Sequence, residues 1–126
     1  MTDVTGFGLL GHLLEMCRGS QLHAHLSFAK VPTLAGVDDY VAQQCVPGGT
    51  QRNFASYGDQ VSELKPHQQA ILCDPQTSGG LLLAVEPDCA EQLQSIAAQH
   101  GQAVHRIGQL TSAIKGSDRP IVSLGP

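Results

Sequence analysis

Charged side chains are scarce in this chain: 14% of its 126 residues, against 41% hydrophobic. That balance excludes a charge-rich disordered segment, and the length suffices for one domain with a core of its own. Basic residues are scarcer still. Seven Lys and Arg against eleven Asp and Glu leave a net charge of −4, which offers no electrostatic reason to bind nucleic acid. No apolar run approaches the roughly 20 residues needed to cross a bilayer, and no basic-then-apolar signal opens the chain. We therefore expect no membrane association and a cytoplasmic location. Cysteine is sparse and dispersed, at Cys17, Cys45, Cys73 and Cys89, without a C-x-x-C pair. That spacing indicates neither a zinc knuckle nor a thioredoxin-like site, and a cytoplasmic chain would keep all four thiols reduced.

What the chain does have is glycine-rich punctuation. Cys73-Asp74-Pro75-Gln76-Thr77-Ser78-Gly79-Gly80 runs straight into the apolar Leu81–Val85. This predicts a tight loop feeding a central strand covered on both faces, with Gly79 and Gly80 supplying a positive φ or a close approach. A second punctuated stretch, Thr2-Asp3-Val4-Thr5-Gly6-Phe7-Gly8, leads into a helix to about Arg18. Its apolar stripe is Leu9, Leu10, Leu13, Leu14 and Cys17, and Gly19-Ser20 would end it.

The period then changes to two. Leu22, Ala24, Leu26 and Phe28 alternate with His23, His25 and Ser27, predicting a half-buried strand with both histidines on its outer face. A short helix is expected over Thr33–Gln44, N-capped by Thr33. Cys45–Glu63 has little periodicity and reads as a long loop. Pro66–Leu72 reads as a short helix. A further helix follows Pro87, with Cys89, Leu93, Ile96 and Ala97 as its buried stripe. Ala103–Leu110 predicts a strand with a bulge near Gly108. Weaker strand signals, at Ile114 and Ile121-Val122, flank a Lys115–Asp118 turn. Helices and strands interleave without a regular βαβ rhythm, so the expected fold is α+β: a mixed sheet covered by helices in a single domain spanning 1–126. Leu9, Leu13, Leu82, Leu93 and Ile96 are the expected core.

Chemically, Asp3 stands out. It precedes two glycines and a helix N-terminus, where a carboxylate can hold Mg²⁺ bridging nucleotide phosphates, or can simply cap the turn. Gly79-Gly80 could admit a phosphate, but no Walker lysine accompanies it. Arg52 and Asn53 could meet an anion if the Cys45–Glu63 loop closes. His23 and His25 share a face but lack a third ligand, so they read as surface residues. His12, His67, His100 and His105 are scattered and form no catalytic triad.

Thr2–His12, Pro47–Asn53 and Asp74–Gly80, taken together and in this order, resemble segments of the C-terminal half of the selenide, water dikinase (selenophosphate synthetase) family. The wider aminoimidazole-ribonucleotide-synthetase-like superfamily shares the first motif less specifically. The likeness runs over nearly the whole chain. It implies the superfamily's C-terminal-domain fold and an enzyme that makes selenophosphate from selenide and ATP, releasing AMP and phosphate, with Mg²⁺ as cofactor. It further implies an N-terminal ATP-binding half in the same polypeptide, carrying the reactive Cys or Sec and its Lys, and a homodimeric full-length enzyme. The chain reads on this view as a piece of a longer polypeptide. The residues implied are Asp3 at the metal, and Gly6, Gly8, Gly79 and Gly80 at the nucleotide. Cys17, inside a helix, is not the family's nucleophile. Two other readings stand beside this: another superfamily member, such as aminoimidazole ribonucleotide synthetase or a hydrogenase-maturation protein, and a non-catalytic module of the same fold.

Overall fold

The structure is a computed structural model describing residues 1–113 and 120–125. The expected Ile114 strand and Lys115–Asp118 turn lie outside the described residues. The fold is α+β, with a mixed sheet and helices packed on it.

Helix α1 spans Gly8–Ser20, beginning where the glycine-rich turn predicts. Gly19 and Ser20 remain helical. The stop is Gln21, whose left-handed φ of 56° sends its N–H to the Arg18 carbonyl at 3.3 Å. Leu10, Leu13, Leu14 and Cys17 are buried, and Leu9 packs partly against them. Their three- and four-residue spacing puts them on one side, which lies on the sheet.

That sheet has the order β4-β2-β5. β2 (Leu22–Ser27) is its centre, antiparallel to β4 (Gly108–Ser112) and parallel to β5 (Val122–Gly125). Ala24 and Leu26 point into the core while His23 and His25 take the other face, as the alternation requires. The expected strand from Ala103 begins only at Gly108, and it pairs with β2 in unbroken register from Gly108 to Ser112, without the expected bulge. Gly108 lies so close to β2 that a Cβ there would sit 2.4 Å from the His25 carbonyl oxygen. Val104 and Ile107 do not alternate, and the preceding segment stays irregular.

A second, two-stranded sheet pairs β1 (Thr2–Asp3) antiparallel with β3 (Leu81–Leu82), Thr2 opposite Leu82 and Asp3 opposite Leu81. Here the expected central strand Leu81–Val85 is corrected. Leu82 is buried, but Leu81 is 62% and Val85 47% exposed. The partner strand is two residues long, so the ladder runs out after Leu82 and the remaining apolar residues have no strand to pair with.

Three helical expectations change. α2 is Val37–Ala42, opened by Gly36 at φ 84° and not by Thr33; Leu34, expected on its inner side, is 83% exposed. Cys45–Glu63 is not a loop: α3 occupies Gly48–Tyr57, followed by a 3₁₀ turn over Gly58–Gln60. α4 (Pro66–Leu72) falls as predicted, its first turn closed by the Lys65 N–H donating to Gln68 Oε1 at 2.9 Å. After a 3₁₀ turn at Pro87–Cys89, α5 (Ala90–Gln99) forms but buries none of its residues. Cys89 and Ile96 are exposed and Leu93 is half-buried, so the stripe expected to enter the core does not reach it. The core instead closes with Tyr57, Val61, Leu72, Cys73 and Val122.

Candidate functional site

The segments that carry the glycine-rich motifs are far apart in sequence and meet in space. Val4 is the hinge: its N–H donates to the Gly80 carbonyl (2.9 Å), and its own carbonyl accepts the Gly79 N–H (3.0 Å). One residue on, the Thr5 carbonyl accepts both the Gly8 N–H (3.0 Å) and the Gln76 N–H (3.1 Å). The glycines have different reasons to be glycine. Gly8 has φ 72°, and a Cβ on it would lie 2.8 Å from the Cys73 carbonyl carbon; Gly79 would strike the Val4 carbonyl oxygen at 2.7 Å. Gly80 also takes a positive φ, 84°, but into open space, and Gly6 likewise has nothing near it.

α3 fastens this junction from below with a polar face. Thr50, Asn53 and Tyr57 recur at three- and four-residue spacing and are all buried. Asn53 Nδ2 donates to the Gly6 carbonyl at 2.8 Å and to the Cys73 carbonyl at 2.9 Å, using both its protons to join the two motifs. The Tyr57 hydroxyl donates to the Phe7 carbonyl at 2.8 Å. Thr50 Oγ1 lies 3.5 Å from Asp74 Oδ1, and Gln76 Nε2 donates to Asp74 Oδ2. Burial pushes the Asp74 carboxyl up from its ordinary range, against these two hydrogen bonds. Burial also raises the Tyr57 phenol and the Cys73 thiol, the neighbouring Cys73 adding to the former. A thiol so shifted is a packing group, not a nucleophile at neutral pH.

Asp3 sits on β1 with its side chain exposed. Among the described residues its carboxylate has no hydrogen-bond or ion-pair partner. It does not cap α1: the N-cap is Phe7, without a side-chain bond. The turn ahead of α1 is tied by His12, 6% exposed, whose Nε2 accepts the Thr5 N–H at 3.0 Å.

The family described as AIR synthase related protein, C-terminal domain, matches residues 1–117. The chain belongs to that family. It is 59% identical over 113 residues to the selenide, water dikinase of Yersinia pseudotuberculosis serotype I (strain IP32953), covering 90% of this chain and 32% of that protein. Against the selenide, water dikinase of Cronobacter sakazakii (strain ATCC BAA-894) it is 56% identical over 124 residues, 98% of this chain and 35% of that one. Against that of Photobacterium profundum it is 60% identical over 112 residues, 87% and 32% respectively. The chain thus spans about a third of the length of these relatives.

In this AIR synthase related domain, Gly79 and Gly80 contact the segment that holds Asp3, Gly8 packs on Cys73-Asp74, and Gly6 offers its carbonyl to Asn53. The closing-loop role expected for Arg52 and Asn53 is corrected. Both lie on α3, Arg52 in solvent and Asn53 buried with its amide protons committed. Sequence reasoning missed Thr50, Tyr57 and His12. The signal for the first two was a polar stripe at helical spacing in a segment judged by its apolar residues alone. For His12 it was a histidine within reach of the turn preceding its own helix.

Proposed function

We propose that this chain works as the C-terminal domain of a selenide, water dikinase, forming one wall of a site for Mg²⁺ and ATP in a cytoplasmic enzyme. The observation that carries this is the exposed Asp3 carboxylate, without a partner among the described residues, on a junction built from the very segments that resemble that family. The remaining parts, on this reading, come from an N-terminal ATP-binding half of the same polypeptide, with the full-length enzyme a homodimer that acts on ATP and selenide.

The donor set suits the ion in part. Mg²⁺ takes one or two carboxylates together with phosphate oxygens and water, and Asp3 is a hard oxygen donor left free for that use. Bound there, Mg²⁺ would neutralise phosphate charge. The chain's own contribution is to hold Asp3 on a short strand against the Gly79-Gly80 loop. Gly6 and Gly80, open on the side where a Cβ would stand, and Gly8 and Gly79, locked beneath them, shape the backbone that faces the nucleotide.

Asp3→Asn in the full-length polypeptide tests this reading. Asn keeps the size and the strand but removes the charge, and no cap is lost because Asp3 caps nothing. AMP formation from Mg-ATP and selenide under anaerobic conditions should fall by about tenfold or more, with an unchanged melting temperature. Near-normal turnover would return Asp3 to the surface and favour a domain that keeps the fold without the chemistry.

A further inference from the structure

We propose that His12 is a positioning residue: one imidazole brackets Asp3, gripping the chain on both sides of it, and so sets where the carboxylate points. The inference rests on the reading of Asp3 as a cation ligand. On the far side of Asp3, Nε2 accepts the Thr5 N–H at 3.0 Å and lies 3.2 Å from Thr5 Oγ1. On the near side, Nδ1 lies 3.4 Å from Thr2 Oγ1. A backbone N–H aimed at Nε2 requires a lone pair there, so the ring proton is on Nδ1, facing Thr2. The Glu15 carboxylate, 3.7 Å from Nδ1, favours the same arrangement.

The fold explains why such a grip is needed. β1 is two residues long and paired on one edge only, and an isolated ladder that short is weak. Among the described residues, nothing else orients the Asp3 side chain in it. His12 is on the second turn of α1, where side chains lean toward the helix N-terminus, so its ring reaches back over the turn while its own helix is anchored in the core. A rigid element thereby holds a flexible one through a buried ring. Loss of a group hydrogen-bonded directly to a metal ligand costs about 10–100-fold in metal affinity; His12 would act one step further out, through the backbone on either side of Asp3, so the lower end of that range is expected.

The test compares His12→Gln with His12→Asn in the full-length enzyme, with Asp3→Asn and Thr2→Val alongside. A glutamine amide oxygen reaches the Nε2 position and can accept the Thr5 N–H; the shorter asparagine cannot. The readouts are calorimetric affinity for the Mg²⁺ complex of a non-hydrolysable ATP analogue, the Mg²⁺ concentration giving half-maximal AMP formation, and the melting temperature. His12→Gln keeps the Thr5 grip but gives up the Thr2 contact, so it should weaken binding no more than Thr2→Val does and less than His12→Asn. His12→Asn should bind the complex about tenfold more weakly and need correspondingly more Mg²⁺. Equal behaviour of the two variants, with Asp3→Asn weakened, overturns the positioning role alone. Asp3→Asn binding as the parent does overturns the ligand reading and the inference with it. Should His12→Asn lose its folding transition, Thr2→Val decides: it leaves the core untouched, weaker binding at an unchanged melting temperature is expected, and unchanged binding overturns the inference.

Discussion

At the scale of single residues, the junction depends on polar groups used to capacity. Asn53 shares its amide between two carbonyls from different motifs, so truncating it would leave both without a protein partner, at about 1–3 kcal/mol. Asp74 is the opposite case, a carboxylate kept where ionisation is disfavoured. Because burial raises its pKa in the folded state, its favourable contribution is fully present below the ordinary carboxylate value of about 4 and is lost as pH rises through the folded value. Ionised Asp74 is then a cost at neutral pH. Asp74→Asn should melt at a higher temperature than the parent at pH 7, since the Gln76 amide can turn to pair with an amide in place of a carboxylate. That advantage should shrink as pH falls into the carboxylate range. Thermal melts across pH 4–8 check this, and a deficit growing toward pH 7 would mean that the ionised form is the stabilising one.

At the scale of elements, α3 and α5 invert the usual expectation about helices. α3 buries Asn53 and Tyr57 against loop carbonyls, for which donors are the complementary chemistry, and Thr50 against the Asp74 carboxylate. α5 has a regular apolar stripe and no core surface against it. Substitutions should follow burial and not hydrophobic pattern. Leu82→Ala, at 8% exposure in the short β3, should cost about 2–5 kcal/mol. Ile96→Ala, at 47% exposure on α5, should stay within about 0.5 kcal/mol. Denaturant melts of the two variants make the comparison, and equal losses would show α5 to be packed in solution.

At the scale of the whole molecule, the proposed site is one wall of a larger one. A broad cleft lined by Leu83, Val85, Leu93 and Val104 lies open between α5 and the body. Among the described residues no group of three or more His, Cys, Asp or Glu is placed to hold a metal together. No described helix is long and apolar enough to cross a membrane. On the one-wall reading the reactive Cys or Sec and most phosphate ligands belong to the N-terminal half, so the 126-residue chain by itself should give no selenide-dependent AMP from Mg-ATP under anaerobic conditions, while circular dichroism records its helices. Clear turnover by this chain alone would contradict the one-wall reading.

Local physics made much of this legible in sequence. The stripe of α1, the alternation of β2 and the proline that opens α4 depend on neighbours within a few residues, and those elements appear where expected. Asp3 and the paired glycines could be singled out for the same reason: turn formers beside a helix start are a local pattern. What sequence could not decide was long-range. Whether Leu81–Val85 is central or marginal depends on the length of its partner β1, nearly eighty residues earlier in the chain. Whether Asn53 is a mobile anion ligand or a buried clasp depends on which carbonyls its helix meets. His12 looked like one of four scattered histidines because the bonds that give it meaning reach back across a turn whose path only the folded chain defines.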